Sequence, residues 1–266
     1  MTAYTLFSGS SGNSIYLQEG NTRLLVDVGG SMKQMETALQ QVGSSLNEIN
    51  GILITHEHSD HTKGLPVLSK HYNIPVYCQS EVAKEIYMGL LRKNLNREAA
   101  CLAKNIRTVK TEHEYEIGDI SFTPFQTPHD SVDSQGFVFG ERMLAIATDL
   151  GHVSEEVRRY LIGCQNVIIE SNHDYTMLLD GPYPPHLKER VASQNGHLNN
   201  HDCAAFVSEL FQSGCQAFTL FHLSQENNLP SLALEESTKA LKALDAKEGK
   251  DYTLQVAQRY EVTKVL

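Results

Sequence analysis

The sequence predicts an α+β protein in which two mixed sheets pack together with helices on their outer faces, as one domain over residues 1–266. Three observations carry this expectation. Short strand-type runs come in groups, with helical stretches between and after them. Several of those runs are wholly apolar, the pattern of strands covered on both faces. No repeat, low-complexity tract or linker divides the chain.

Taken in order, the first 27 residues read as three strands, YTLF, SIYLQEG and TRLLVDV, separated by the turn-rich SGSSGN and by EGNT. Residues 33–43 have helical character and stop at Gly43, a natural C-cap. GILIT at 51–55 is a short apolar strand. HTKGLPVLSKHY then reads as a helix, IPVYC as a strand and 80–104 as a longer helical region. Strands follow in YEIGDISFTPFQT, SQGFVFGERMLAIATDL and NVIIES. Helices are expected over 154–162, 185–194, 200–213 and 231–247, and the alternating tail DYTLQVAQRYEVTKVL closes the chain as one or two strands.

Composition narrows the function. At 41% hydrophobic and 20% charged, the chain has the apolar content to bury a sizeable core. No apolar run reaches the roughly 18 to 20 residues that span a bilayer, and MTAYTLFSGSSGNS lacks the basic and apolar regions of a signal peptide. Five scattered cysteines with no C-x-x-C pair fit a reducing compartment, so cytoplasmic residence is expected. A net charge of −10 disfavours nonspecific polyanion binding at long range. Bound cations would offset that charge locally. Residues 81–110 are also basic, with Lys84, Arg92, Lys93, Arg97, Lys104, Arg107 and Lys110 against Glu81, Glu85 and Glu98. A solvated helical face and a nucleic-acid contact surface both explain that stretch.

The chemistry concentrates in ITHEHSDHTKG, directly after the apolar strand. His56 and His58, two apart in an extended loop, project to one side and can share a metal ion. Asp60 and His61 follow where the chain turns into a helix, and can be aimed at a second ion. Four ligands are too few for two ions with open positions. Three further strand ends offer more: His129 after SFTPFQT, Asp149 after LAIAT and His222 after AFTLF. A carboxylate such as Asp149 can bridge two cations.

THEHSDHTKG, taken with His129, Asp149 and His222, resembles the motif series of the metallo-β-lactamase superfamily. The resemblance implies an αββα sandwich with its site at one rim. It assigns His56, His58 and His129 to a first metal, Asp60, His61 and His222 to a second, and Asp149 to a bridging position. Asp27, in LLVDVGG, matches a position that braces the ligand loop, though an ordinary turn residue explains it too. SGSSGNS, IESNHD, GPYP, NGHLNN and HLSQENN extend the similarity nearly end to end toward the WalJ/YycJ-type subfamily, described as 5′-to-3′ DNA exonucleases. Asn199 stands where that pattern has Ser.

The expected activity is phosphodiester hydrolysis assisted by two divalent ions, zinc or manganese with iron also compatible, in which a bridging hydroxide attacks phosphorus in line with the leaving oxygen. Asp60 is positioned by sequence to orient that water or take its proton. The leaving oxygen needs a proton donor, for which His197 and then His173 are candidates, each also explicable as a structural hydrogen-bonding residue. Ser10, Ser11 and Asn13 can donate to phosphate, while a plain hairpin turn explains the same residues. With no tryptophan, base stacking falls to Tyr87, Tyr175 and Tyr183, which serve equally as packing. DNA is the expected partner and no membrane is involved. A small-molecule phosphodiesterase is the first alternative, and a non-catalytic metal-binding regulator the second. Oligomeric state is not legible here.

Overall fold

A computed structural model describes residues 1–266. The chain divides into two compact units: residues 1–124, 131–134 and 258–266 form the first, and 125–130 with 135–257 form the second.

In the first unit, β1 (Thr2–Phe7), β2 (Ser14–Glu19) and β3 (Thr22–Val26) form an antiparallel meander. Helix α1 (Met32–Gln41) starts on a reciprocal cap. The Ser31 hydroxyl accepts from the Gln34 backbone N–H, and the Gln34 side chain accepts from Ser31. Parallel strands β4 (Gly51–Leu53), β5 (Val76–Cys78) and β6 (Ile106–Thr108) extend the sheet from β3. Helices α2 (Ser59–Thr62), α3 (Leu65–His71), α4 (Ser80–Arg92) and α5 (Asn96–Asn105) occupy the connections.

The expected helix over HTKGLPVLSKHY and the helical region 80–104 are thus each divided in two. At Gly64 the backbone N–H donates to the Val28 carbonyl at 2.8 Å rather than to a helical partner, and a side chain would put Cβ 2.5 Å from the Gly30 carbonyl oxygen, so this close approach requires glycine. At Asn94 the backbone enters the left-handed region, with φ 59°, which asparagine tolerates better than most residues. A core around Leu25, Met35, Leu39, Ile52, Ile54, Leu68, Val82 and Leu102 binds these elements.

Next come a hairpin of β7 (Tyr115–Ile117) and β8 (Ile120–Gln126), then β9 (Gln135–Phe139) and β10 (Leu144–Ala147). Helix α6 (Glu155–Leu161) leads to β11 (Asn166–Glu170), followed by α7 (Tyr175–Asp180), α8 (Pro185–Val191) and α9 (Asn200–Gln212). The parallel strands β12 (Ala217–Phe221) and β13 (Thr253–Val256) flank α10 (Pro230–Lys242). The alternating tail yields two strands, as expected, but in different sheets: β14 (Thr263–Lys264) pairs with β1.

Both sheets are mixed and seven-stranded, ordered β14-β1-β2-β3-β4-β5-β6 and β13-β12-β11-β10-β9-β8-β7. The second unit buries Ala145, Ala147, Val167, Ile169, Phe206, Val207, Phe218 and Leu220 in its own core. No helix is long and apolar enough to cross a membrane.

Candidate metal centre

In the first unit the histidine-rich loop leaves β4 and is pinned from beneath by two other loops. The Asn13 backbone N–H donates to the Asp60 carbonyl oxygen at 2.8 Å, and the Val28 N–H to that of His61 at 2.8 Å. A Cβ at Gly29 would lie 1.8 Å from the Asp60 oxygen, which is why VDVGG carries glycine there. Asp27 sits at φ 60°, and its buried carboxylate is saturated. Oδ1 accepts the Thr55 N–H at 2.8 Å, while Oδ2 accepts the Thr55 hydroxyl at 2.8 Å and lies 2.7 Å from His61 Nδ1. Burial pushes the Asp27 carboxyl up from its ordinary range, opposed by His61 and by these hydrogen bonds. Asp27 therefore braces the loop.

The proton positions of the ligand histidines follow from this network. Gly9 N–H donates to Asn13 Oδ1 at 2.7 Å, so the Asn13 amide nitrogen must face Asp60 Oδ2 at 3.3 Å and His61 Nε2 at 3.0 Å. Nε2 of His61 accordingly accepts, and its proton sits on Nδ1, toward Asp27. The Thr55 hydroxyl, donating to Asp27, can only accept from His56 Nδ1 at 2.9 Å. His56 therefore also carries its proton on Nδ1. The His56 ring lies 4.6 Å from that of His58 and 4.2 Å from that of His61, centroid to centroid. Asn13 has a different task from the expected phosphate donor: it is buried, and its amide is spent inside the ligand cluster. Ser10 and Ser11 are exposed on the same loop.

The second unit repeats the device. His129, past the end of β8, has Nδ1 2.9 Å from the Gly196 carbonyl, which can only accept. His222, at φ 57° after β12, has Nδ1 2.7 Å from Glu170 Oε1. His197 Nδ1 lies 2.8 Å from the same oxygen. Glu170 Oε2 takes the backbone N–H groups of Leu150 and Leu198, both at 3.0 Å. Burial opposes the Glu170 charge, but His197 and the two imidazole hydrogen bonds outweigh it and hold this carboxyl below the usual range. Asp149, at φ 55°, accepts the Thr148 hydroxyl at 2.7 Å. Its other oxygen stands 3.4 Å from His222 Nδ1, 3.6 Å from His197 Nδ1 and 3.8 Å from His129 Nε2. Asp149, Glu170, His197 and His222 form one group of donor atoms within 4.8 Å of one another.

Glu170 is the functional residue that sequence reasoning missed. The signal was present: a carboxylate directly closes the apolar strand NVIIE, as Asp149 and His222 follow theirs.

His197 Nδ1 is occupied by Glu170, and its pKa is raised: burial lowers it, but Glu170 and Asp149 raise it further. His173 is 1% exposed, and burial pushes its pKa down to about 4, with no partner at Nδ1. It is neutral near pH 7 and not a cationic proton source. Asn199 caps α9 by accepting from the Asp202 N–H at 2.9 Å, a task serine performs equally well. Tyr87 packs on the core of the first unit, while Tyr175 is exposed and Tyr183 half-buried.

These donor sets fit divalent metal ions. His56, His61, His129 and His222 each have Nδ1 engaged by an oxygen, so each carries its lone pair on Nε2; at His61 that lone pair receives the Asn13 amide N–H at 3.0 Å, which an ion bound there would displace. Two of those oxygens belong to buried carboxylates.

Residues 22–222 match the family described as Beta-lactamase superfamily domain. The chain belongs to the β-lactamase superfamily. It is a hydrolase of the superfamily's metal-dependent kind. It is 37% identical over 232 residues to Exodeoxyribonuclease YycJ of Bacillus anthracis, covering 86% of this chain and 84% of that one. To Exodeoxyribonuclease WalJ of Streptococcus pneumoniae it is 33% identical over 249 residues, covering 93% and 90%. Among solved structures, the metallo-β-lactamase fold protein YhfI from Bacillus subtilis superposes with a TM-score of 0.67 at 15% identity, covering 99% and 100% of the two chains. Human tRNase Z, short form, gives 0.65 at 17% identity over 100% of both chains. The fold expected of the superfamily, with its two mixed sheets and accompanying helices, is the fold these neighbours share.

Proposed function

We propose that the protein is a two-metal phosphodiesterase that removes nucleotides from DNA ends in the 5′-to-3′ direction. The observation that carries this is the set of four histidines locked as Nδ1–H tautomers, two of them by buried carboxylates. The choice of DNA is supported by the two relatives named exodeoxyribonucleases. As the resemblance assigns them, His56, His58 and His129 would hold one divalent ion and Asp60, His61 and His222 another, with Asp149 a ligand to both. Zinc or manganese suits such mixed nitrogen and oxygen donors, and iron is compatible. All five cysteines are free thiols, in keeping with a reducing, cytoplasmic setting.

When bound, such ions acidify water and neutralise phosphoryl charge. The chain's own residues do the rest. The Asn13 amide donates to Asp60 Oδ2 and would keep that bond when His61 Nε2 turns to an ion, so the carboxylate of Asp60 is held to orient the attacking water and accept its proton. Glu170 anchors His197 through Nδ1 and favours its protonated form, so Nε2 delivers a proton to the leaving oxygen. Ser10 and Ser11 supply exposed donors for a phosphate.

The test is a substrate panel with metal-loaded protein: 5′-phosphorylated duplex and single-stranded DNA, RNA, and bis-p-nitrophenyl phosphate. Release of nucleotides from a DNA end is expected. Asp149→Ala should abolish turnover and reduce bound metal, whereas His197→Ala should lose rate by about a hundredfold with metal content unchanged. Activity confined to the small ester would overturn the DNA reading in favour of a small-molecule phosphodiesterase, the alternative that the net charge of −10 favours. Metal binding without turnover of any substrate would leave a regulatory protein.

A further inference from the structure

Beside the ligand loop, within the first unit, lies a cavity of about 510 Å³ that no step above uses. One wall is His58, and α2 contributes Lys63 just past its end. The opposite wall is the last two turns of α4 and the residues after it, including Ile86, Gly89, Arg92 and Lys93. Pockets that hold small ligands run from about 300 to 1,000 Å³, so the space suits one nucleotide.

Its charge runs against that of the molecule. Glu57 is engaged by the Ser131 hydroxyl at 2.7 Å and the Val132 N–H at 3.1 Å, and Glu85 is paired with Arg92. Lys63 and Lys93 are exposed and carry no ion pair. Three cations, Lys63, Arg92 and Lys93, thus face two carboxylates, Glu57 and Glu85, a net charge of +1 at this rim in a chain of net charge −10. Ile86, 8% exposed, contributes a small apolar edge to the lining.

Gly89 gives an independent indication. It lies inside α4, where glycine weakens a helix relative to alanine. Nothing packs against it: a Cβ there would meet only Arg92 Nη2, at 3.8 Å. The backbone has no need of glycine at this position, and the space a side chain would fill is the cavity itself.

We infer that this cavity receives the nucleotide next to the scissile bond of a nucleic-acid strand, its base against the Ile86 and Gly89 wall and its phosphate between Lys63 and Lys93. The inference rests on the nucleic-acid reading of the adjoining centre and assigns a function to part of the basic 81–110 segment.

Two variants test it: Gly89→Leu, which fills the cavity, and Lys63→Ala/Lys93→Ala, which strips its rim. Binding of a fluorescent 5′-phosphorylated oligonucleotide is followed by anisotropy, which needs no turnover. Cleavage of the same oligonucleotide is compared with that of bis-p-nitrophenyl phosphate, and melting is followed as a control. Gly89→Leu should melt at or above the wild-type temperature. Both variants should weaken oligonucleotide binding about tenfold and lower the oligonucleotide-to-small-ester ratio of kcat/KM by about the same factor. Variants that bind and cleave as the wild type does, or that lose both substrates equally, would overturn the assignment. If the wild type binds oligonucleotide without cleaving it and the variants do not bind, the pocket stands and the nuclease reading falls. If the wild type neither binds nor cleaves, both fall.

Discussion

Replacing Asp27 by Asn is the most informative single perturbation, because it alters one proton and little else. Asparagine is nearly the same size and accepts the φ of 60° found here. Its oxygen can keep the Thr55 N–H, but its amide nitrogen then replaces the oxygen that receives the Thr55 hydroxyl and His61 Nδ1. The hydroxyl can rotate and accept. His61 cannot adjust so easily. To accept at Nδ1 it must move its proton to Nε2, whose lone pair meets the Asn13 amide at 3.0 Å and is the one a metal ion would take in its place. The variant must therefore give up either a buried hydrogen bond or the coordinating lone pair. A lost partner of a metal-binding histidine lowers metal affinity about 10- to 100-fold, or about 1.4 to 2.7 kcal/mol. Fold stability should change much less, by about 1 kcal/mol or below, because burial already disfavours the charge that is removed. Chelator competition measures the affinity, melting of the metal-free protein measures the stability, and nitrogen NMR of His61 reports the tautomer. Unchanged affinity, or a loss matched by an equal loss of metal-free stability, would refute the tautomer argument.

Two other expectations are simpler. His173, with its folded pKa near 4, binds no proton at pH values where the unfolded histidine, near 6.5, does. Stability is therefore full above the unfolded value and is lost as pH falls through the window between the two. The loss from this residue is about 2 kcal/mol between pH 7 and pH 5, and His173→Gln should flatten that part of the pH–stability curve; an unaltered curve would show that the group titrates normally. Burial pushes the Cys78, Cys203 and Cys215 thiols up to about 12 and also raises Cys164, while Cys101 is only half-buried. A thiol reagent should accordingly label one cysteine per chain rapidly in the native protein and five after denaturation. Rapid native labelling of any second site would contradict the burial argument.

Much of this fold could be read from one dimension. The apolar strands and the cap at Ser31 are local in origin, so their residues announce them. The helix breaks at Gly64 and Asn94 were not legible, the first because the Gly64 N–H is taken by the Val28 carbonyl, a tertiary neighbour. The same division holds at the site. Candidate ligands were visible because histidine and aspartate at the ends of apolar strands are otherwise hard to explain. Asn13 looked like a turn residue or a phosphate donor, because nothing in SGSSGN says that its amide will face Asp60 and His61. Glu170 was passed over because a strand-terminal glutamate has many ordinary uses; only its two imidazole partners, 27 and 52 residues away, define it.

The pairing of Asp27 with His61 and of Glu170 with His197 and His222 has a further consequence. Each carboxylate is buried, fully hydrogen-bonded and placed where a charge is costly without a partner. Neither arrangement recommends itself as a way to stabilise a fold, since apolar residues of similar size would serve that end. Asp27, Asp149 and His222 add left-handed backbone at non-glycine positions, each at about 1 kcal/mol or more. Local strain and buried charge thus fall on the same few residues. In both units they lie directly past strand ends, where the sheets hold the backbone against relaxation. Their common effect is to fix which imidazole nitrogen carries a proton and where its lone pair points, a constraint that matters to coordination chemistry and to little else.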